Sequence, residues 1–543
     1  MIKKYLEILK KYKTETAVVL FSLFFSVALM FSTFSYVNGS MLIATKAWSD
    51  FASHIPLIRS FAFGNNFPPQ YPLFSGPPIK YHFLFFAFVG ILEKLGLRID
   101  YALNIPSALG FFLLLLTIYF FAVKLFKSKA VGVLSILFLL CNSSLDFLNF
   151  FAKYPLSTHT LSDIINNNQF MSFGPYDEKI ISAFWNLNIY TNQRHLGLSY
   201  AVSMLLIYFV IKPYLENKKP ELKINVITGI ILGITFFLNI AVTLMSAIIL
   251  GMLFLLSKGK RISILITIII GGVITFPQYL YIEQQSVSKT SIFLGYLANN
   301  SLTITSFINY WFQNLGLNLI LIPLGFIIAP KKAKIILIAY FALFVVGNLF
   351  EFSPDIAANH KFFNYFVIIG SMFTAYLLVR LWGKLKALRP LVIILVLLLT
   401  LSGFIDIFPI FNDTKIALAD YPVNKDVAWI MKNTKPDAVF LNTQYLYDNA
   451  SLAGRKIFLG WPYFAWSQGY DTTTRDNMRK SLLDTNNYNY FCDNIKKYKI
   501  NYAELNNGTT DATINPAFFN KYFKMVYANN KEGYYIYNLN TCL

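Results

Sequence analysis

"YHFLFFAFVGILEKLG", residues 81–96, is the stretch on which the topology of this chain turns. It is apolar enough to enter a bilayer but shorter than the roughly 20 residues that span a hydrocarbon core of about 30 Å. If it crosses, every later segment changes sides. The basic residues elsewhere decide. Hydrophobic side chains make up 56% of the 543 residues and charged ones only 14%, with a mean hydropathy of +0.50, which marks a polytopic α-helical membrane protein. Apolar runs long enough to cross lie near 14–36, 103–123, 130–150, 196–212, 225–240, 241–257, 262–282, 306–329, 335–350, 362–379 and 390–408. That is an expectation of eleven spans. Between them stand "KLFKSK" at 124, "KPYLENKKPELK" at 212, "SKGKR" at 257, "PKKAK" at 330 and "RLWGKLKALR" at 380. With the basic N-terminus inside, the positive-inside rule puts all five in the cytoplasm only if 81–96 does not cross. The piece therefore reads as an interfacial helix on the outer side.

The net charge of +20 is explained by this topology, so nucleic acid is not indicated as a partner. "MIKKYLEILKKYK" leads into the first run with no small-residue cleavage site and reads as a retained signal anchor. The outer loops become 37–102, 151–195, 283–305 and 351–361. All five histidines, His54, His82, His159, His195 and His360, then gather on the outer side. So do Asp50, Arg59, Lys80, Arg98, Asp177, Glu178, Arg194, Asp355 and Lys361. Charge at membrane depth costs about 2.5–3.5 kcal/mol, so the gathering points to a polar cavity at that rim, with plain solvated loops as the alternative.

From about residue 410 the composition turns polar. "NKDVAWIMKNTK" is helical in pattern, "DAVFLNT" is a strand, a helix is expected over 481–498, and "YFKMVYANNKEGYYIYNL" reads as two strands and a turn. The expected division is a membrane domain over 1–409 and an extracytoplasmic α/β domain over 410–543. Cys492 and Cys542 pair if that domain lies in an oxidising compartment. No phosphate loop, dinucleotide fingerprint or zinc spacing is present, so no soluble cofactor is indicated.

The stretch "SDFASHIPLIRSFAFGNNFPPQYPLFSGPPIKYHFLF", residues 49–85, resembles the first-loop signature of the GT-C superfamily of membrane glycosyltransferases. More narrowly it is similar to bacterial members related to the mannosyl- and aminoarabinose-transferases. "NKDVAWIMKNTKPDAVFLN" and "AGRKIFLGWP" in the tail resemble the same proteins. The resemblance implies a plasma-membrane enzyme that moves a sugar, with inversion, from a polyprenyl-phosphate carrier to a glycan, lipid or protein acceptor at the outer face. It also implies that Asp50 is the catalytic base. One carboxylate suffices, because the departing phosphate needs no acid. Lys80, His82, Arg194, His195 and Lys361 are the candidates to hold the carrier phosphate, with His54 beside Asp50 and Tyr81 able to stack on a sugar. Relatives often carry paired acidic residues, sometimes with a divalent ion. Here "DFASH" has Phe51 and His54 instead, and Asp50 with His54 on one helix face supplies two ligands for a possible divalent metal ion. A glycan polymerase or ligase and a glycolipid flippase remain as alternatives.

Overall fold

The computed structural model describes residues 12–173, 179–257, 259, 261–283, 290–298, 302–384, 386–509 and 511–543. Each of the eleven apolar runs contains a helix. Among the described residues seven helices are long and apolar enough to cross a membrane, and a bent pair makes up to eight. Those that recur below are α1 (Lys13–Thr33), α4 (Ile99–Phe126), α6 (Leu196–Glu216), α7 (His360–Lys384) and α8 (Arg389–Phe411). Helices Lys129–Leu140 (α5), Leu222–Ile234 and Ile240–Leu256 are apolar but shorter. This is a multi-pass helical membrane protein.

Residues 81–96 yield only the 11-residue helix α3 (Leu84–Lys94), about 16 Å long and half of what a crossing needs. Leu84, Phe88 and Ile91 form an exposed apolar stripe along it. The opposite face packs on α2 (Trp48–Ala62), which follows the first span. A Cβ added at Gly90 would sit 2.6 Å from the Ile58 carbonyl oxygen, so glycine is what lets the two backbones meet. Three residues on, Glu93 Oε1 lies 2.9 Å from Arg59 Nε.

Two expected spans are interrupted. The run 130–150 stops as helix at Leu140 and resumes at Asp146, and 306–329 bends by 84° between Ile304–Leu315 and Asn318–Ile328. The reason is mutual. Gly316, with φ of +53°, leaves room for the Ser143 carbonyl, which an added Cβ would meet at 1.8 Å. Ser143 Oγ donates to the Leu315 carbonyl at 2.7 Å, and Leu145 N to the Gln313 carbonyl at 2.8 Å. Each break thus satisfies backbone groups that the other frees, as hydrocarbon requires. A polar recess of about 40 Å³ lined by Asn142, Ser143, Asn314, Asn318 and Asn364 lies at the junction.

The first loop and the tail are built together. Strands β1 (Phe34–Val37) and β2 (Ser40–Ala44) form a hairpin, and β3 (Lys415–Ala419), just past α8, pairs antiparallel with β2 in the register Ser40↔Ala419. Beyond it stands a five-stranded mixed sheet of β4 (Val439–Leu441), β5 (Lys456–Ile457), β6 (Tyr502–Asn506), β7 (Lys524–Asn529) and β8 (Tyr534–Asn538), in the order β5-β4-β6-β8-β7. The expected 481–498 helix is two, Thr472–Leu483 and Tyr488–Tyr498. Cys492 and Cys542 are disulfide-bonded. Phe51, Ile55 and Ile58 of α2 share one hydrophobic core with Val427, Phe440 and Ile457 of the tail. Asp50 and the tail therefore lie on the same side of the helical bundle.

Candidate active site

Asp50 occupies the first turn of α2, which continues directly from a 3-10 turn over Thr45–Ala47. Trp48, two residues earlier, stacks on Tyr447 of the tail at 4.2 Å, and the Tyr447 hydroxyl donates to the Trp48 carbonyl at 2.6 Å. The start of the helix is thereby held. Asp50 is surrounded by protein, yet part of its side chain stays open. Among the described residues no hydrogen bond or ion pair engages it. Burial pushes its carboxyl up to about 6, against the pull of Lys361.

Lys361 stands in the first turn of α7, near enough for its charge to act on Asp50, His54, His82 and His195. It too is enclosed but partly open, and among the described residues no hydrogen bond or ion pair takes its ammonium. Its carbonyl accepts from the Tyr200 hydroxyl at 2.8 Å. Asp355, in the turn before α7, adds a second carboxylate within the field of Lys361. The tail supplies Tyr463, whose hydroxyl donates to Asp355 Oδ2 at 2.6 Å. Tyr81, also enclosed yet partly open, feels the Asp50 charge and lies 3.8 Å from the His82 ring. Asp50 thus lies within the electrostatic reach of both Tyr81 and Lys361.

The other candidates are engaged by protein. His54 is buried, stacks on Phe86 at 4.5 Å and meets His195 edge-on at 6.2 Å. Burial drives it down to about 3, so it is neutral. His82 Nε2 and His195 Nε2 lie 2.7 Å apart, so one ring donates and the other accepts. Burial holds both well below the ordinary histidine value. His360, 4% exposed, stacks on Phe184 at 4.8 Å. Among the described residues no group of three His, Cys, Asp or Glu side chains is placed to hold a metal ion.

Arg194 is 1% exposed and acts as a latch. Its Nε donates to the Thr191 carbonyl at 2.6 Å. Nη1 reaches Asn104 Oδ1 and Met30 Sδ, both at 3.1 Å. Nη2 donates to Thr33 Oγ1 at 2.7 Å and to the Met30 carbonyl at 3.2 Å. Those contacts use all five N–H groups and tie α1 and α4 to the loop before α6. Lys80 turns toward the tail, donating from Nζ to the Gly469 carbonyl at 3.0 Å with its ammonium 4.5 Å from the Tyr470 ring. Burial lowers it to about 8. Asp177 and Glu178 lie outside the described residues.

Tyr447 and Tyr463 carry no local mark in the sequence, although Tyr463 follows "AGRKIFLGWP" directly. Asp406 was also missed. It is an acidic residue inside the last apolar run, buried in α8 and accepting from Asn186 at 3.0 Å and Asn142 at 3.3 Å.

No protein-family model matches the chain, and no curated protein matches it. Among solved structures, ArnT from Cupriavidus metallidurans in the apo state is 13% identical with a TM-score of 0.50, over 97% of this chain and 98% of that one. An oligosaccharyltransferase from Archaeoglobus fulgidus, tethered through a disulfide bond to an acceptor peptide containing the NVT sequon, is 12% identical with a TM-score of 0.43. That likeness covers 92% of this chain and 69% of that one. The end-to-end likeness to ArnT gives the chain a GT-C-like fold.

Proposed function

We propose that the chain is an integral membrane glycosyltransferase that moves a sugar from a polyprenyl-phosphate carrier to an acceptor at the outer membrane face, with inversion. The observation that supports this reading is the unanswered pair Asp50 and Lys361. An enclosed carboxylate and an enclosed ammonium, neither hydrogen-bonded among the described residues, lie within each other's electrostatic reach. Water or a ligand commonly completes charged groups left so. The plasma membrane's outer side fits the basic clusters at the other end of the bundle and the disulfide in the tail. On this reading residues 1–409 form the catalytic unit and 410–543 the extracytoplasmic one.

Asp50 accepts the proton of the acceptor hydroxyl as that oxygen attacks the anomeric carbon. The bond from that carbon to the phosphate oxygen breaks on the opposite face, and the electron pair leaves with the phosphate. Lys361 answers the growing phosphate charge. Its engagement also removes part of the pull that keeps Asp50 acidic, so a bound carrier strengthens the base. Tyr81 offers an aromatic face to the sugar. His54, His82, His195, Arg194 and Lys80 fix the walls. Supplying purified protein with radiolabelled polyprenyl-phosphate hexoses and candidate glycan acceptors tests the assignment. Asp50→Asn should lower transfer by about 10²–10⁴-fold while melting like the wild type. Undiminished transfer overturns it.

A further inference from the structure

At the end of the bundle away from the tail, α5, α7 and α8 splay apart around a groove of about 340 Å³. Its lining is wholly apolar, with Leu134 from α5, Leu378, Val379 and Trp382 from α7, and Val392 and Val396 from α8. The rim is basic. Arg380 and Lys384 close α7, Lys386 lies in the turn before α8 and Arg389 opens it, Lys127 caps the end of α4 and Lys129 opens α5. Arg380, Lys384, Lys386, Lys127 and Lys129 are exposed. Glu15 answers Lys129 at 2.8 Å. Arg389 is held over the groove mouth, its Nε donating to the Trp382 carbonyl at 3.4 Å and its guanidinium 5.1 Å from the Trp382 ring.

We propose that this groove seats one acyl chain of an anionic phospholipid of that leaflet, with its headgroup phosphate on the basic rim. An apolar trough calls for a hydrocarbon chain, and a one-sign rim directly above it calls for an anion on the same molecule. The position selects a phospholipid over the carrier. Lys361 and Trp382 are 21 residues apart on one helix, which separates them by roughly 32 Å. A polyprenyl phosphate with its head at Asp50 and Lys361 would leave the basic rim without a partner. A lipid resident in the far leaflet places head and chain where the groove has charge and cavity. It would fill the wedge between α5, α7 and α8 and so brace α7, the helix that carries Lys361.

The test is made on the full-length protein. It is equilibrated in detergent with equal amounts of phosphatidylglycerol and phosphatidylcholine, and retained lipid is read by native mass spectrometry. Phosphatidylglycerol should be kept in preference by about tenfold or more, with one molecule per protein. The rim variant Lys384→Gln/Lys386→Gln/Arg389→Gln should bring the preference close to unity, and Leu134→Trp, which fills the trough, should lower retention of both lipids. Equal retention by the wild type, or a preference unmoved in the rim variant, overturns the proposal. So does polyprenyl phosphate displacing phosphatidylglycerol when added as competitor. Because the rim residues lie far from Asp50, lost sugar transfer in Asp50→Asn and lost lipid preference here fail separately.

Discussion

Arg59 is fully buried in α2 and is the pin between that helix, α3 and the tail. Its Nη2 donates to Asp420 Oδ2 at 2.7 Å and Nη1 to Asp420 Oδ1 at 3.1 Å, a two-point grip, while Nε faces Glu93 Oε1 at 2.9 Å. Both carboxylates are nearly as buried, at 2% and 5% side-chain exposure. Replacing Arg59 by Met keeps the volume and removes the cation. Glu93 can escape by taking a proton, because burial already raises it to about 7 against the pull of Arg59. Asp420 is left as the uncompensated buried charge. Removing one partner of such a pair costs about 3–5 kcal/mol, or roughly 6–20 °C in melting for a unit of about 150–250 residues. Asp420→Asn should cost a similar amount and Glu93→Gln clearly less. The decisive variant is Arg59→Met/Asp420→Asn, which leaves no unpaired charge on that side and should melt above either single variant. Melting of purified protein in nanodiscs, with tail cleavage by protease as a second readout, measures this. Additive losses in the double variant, or an Asp420→Asn that melts like the wild type, would refute the reasoning.

Three further outcomes are expected. With a base whose carboxyl lies at about 6, transfer should rise with pH through that value and then level; Lys361→Met removes the pull that lowers Asp50, so the inflection should move upward and the plateau fall, and an unmoved inflection counts against their pairing. In the tail, burial and the charge of Asp448 hold Glu504 well above the ordinary carboxylate range. The folded state therefore keeps a proton that the unfolded chain releases above about 4.5, and stability should fall by about 1.4 kcal/mol per pH unit from there upward. Glu504→Gln should flatten that slope in a melting series. Finally, Cys492 and Cys542 close a 50-residue separation, so Cys492→Ser/Cys542→Ser should cost the tail about 2–5 kcal/mol, read as a lower urea midpoint.

What could be read from the chain and what could not divide along a physical line. That each of the eleven apolar runs would be helical was legible because each must hide its own backbone bonds, a property of one segment; how many are long enough to cross, seven to eight among the described residues, was not. That 81–96 forms only a short helix, Leu84–Lys94, was legible from the length of its apolar run. The interruptions at 141–145 and 316 were not, since they arise from a meeting. Neither "CNSSL" nor "NLGLN" breaks a helix by itself. The two breaks satisfy one another through Ser143 with Leu315 and Leu145 with Gln313, a long-range pairing that no local pattern encodes.

The same distinction governs the site. Sidedness brings Lys80, Arg194 and Lys361 to one rim, and from the sequence they are equivalent cations awaiting an anion. Their fates differ by what each finds within reach of its stem. Arg194 follows a short helix and meets the exposed carbonyl at the end of α1, so its planar fork closes on five acceptors. Lys80 precedes "YHF" in the strap that the tail covers, and its ammonium finds Gly469. Lys361 begins a helix, where no carbonyl points outward to receive it, because carbonyls along a helix face its C-terminus. Among the described residues its ammonium therefore has no hydrogen bond or ion pair, and the carboxylates that act on it are those of Asp50 and Asp355.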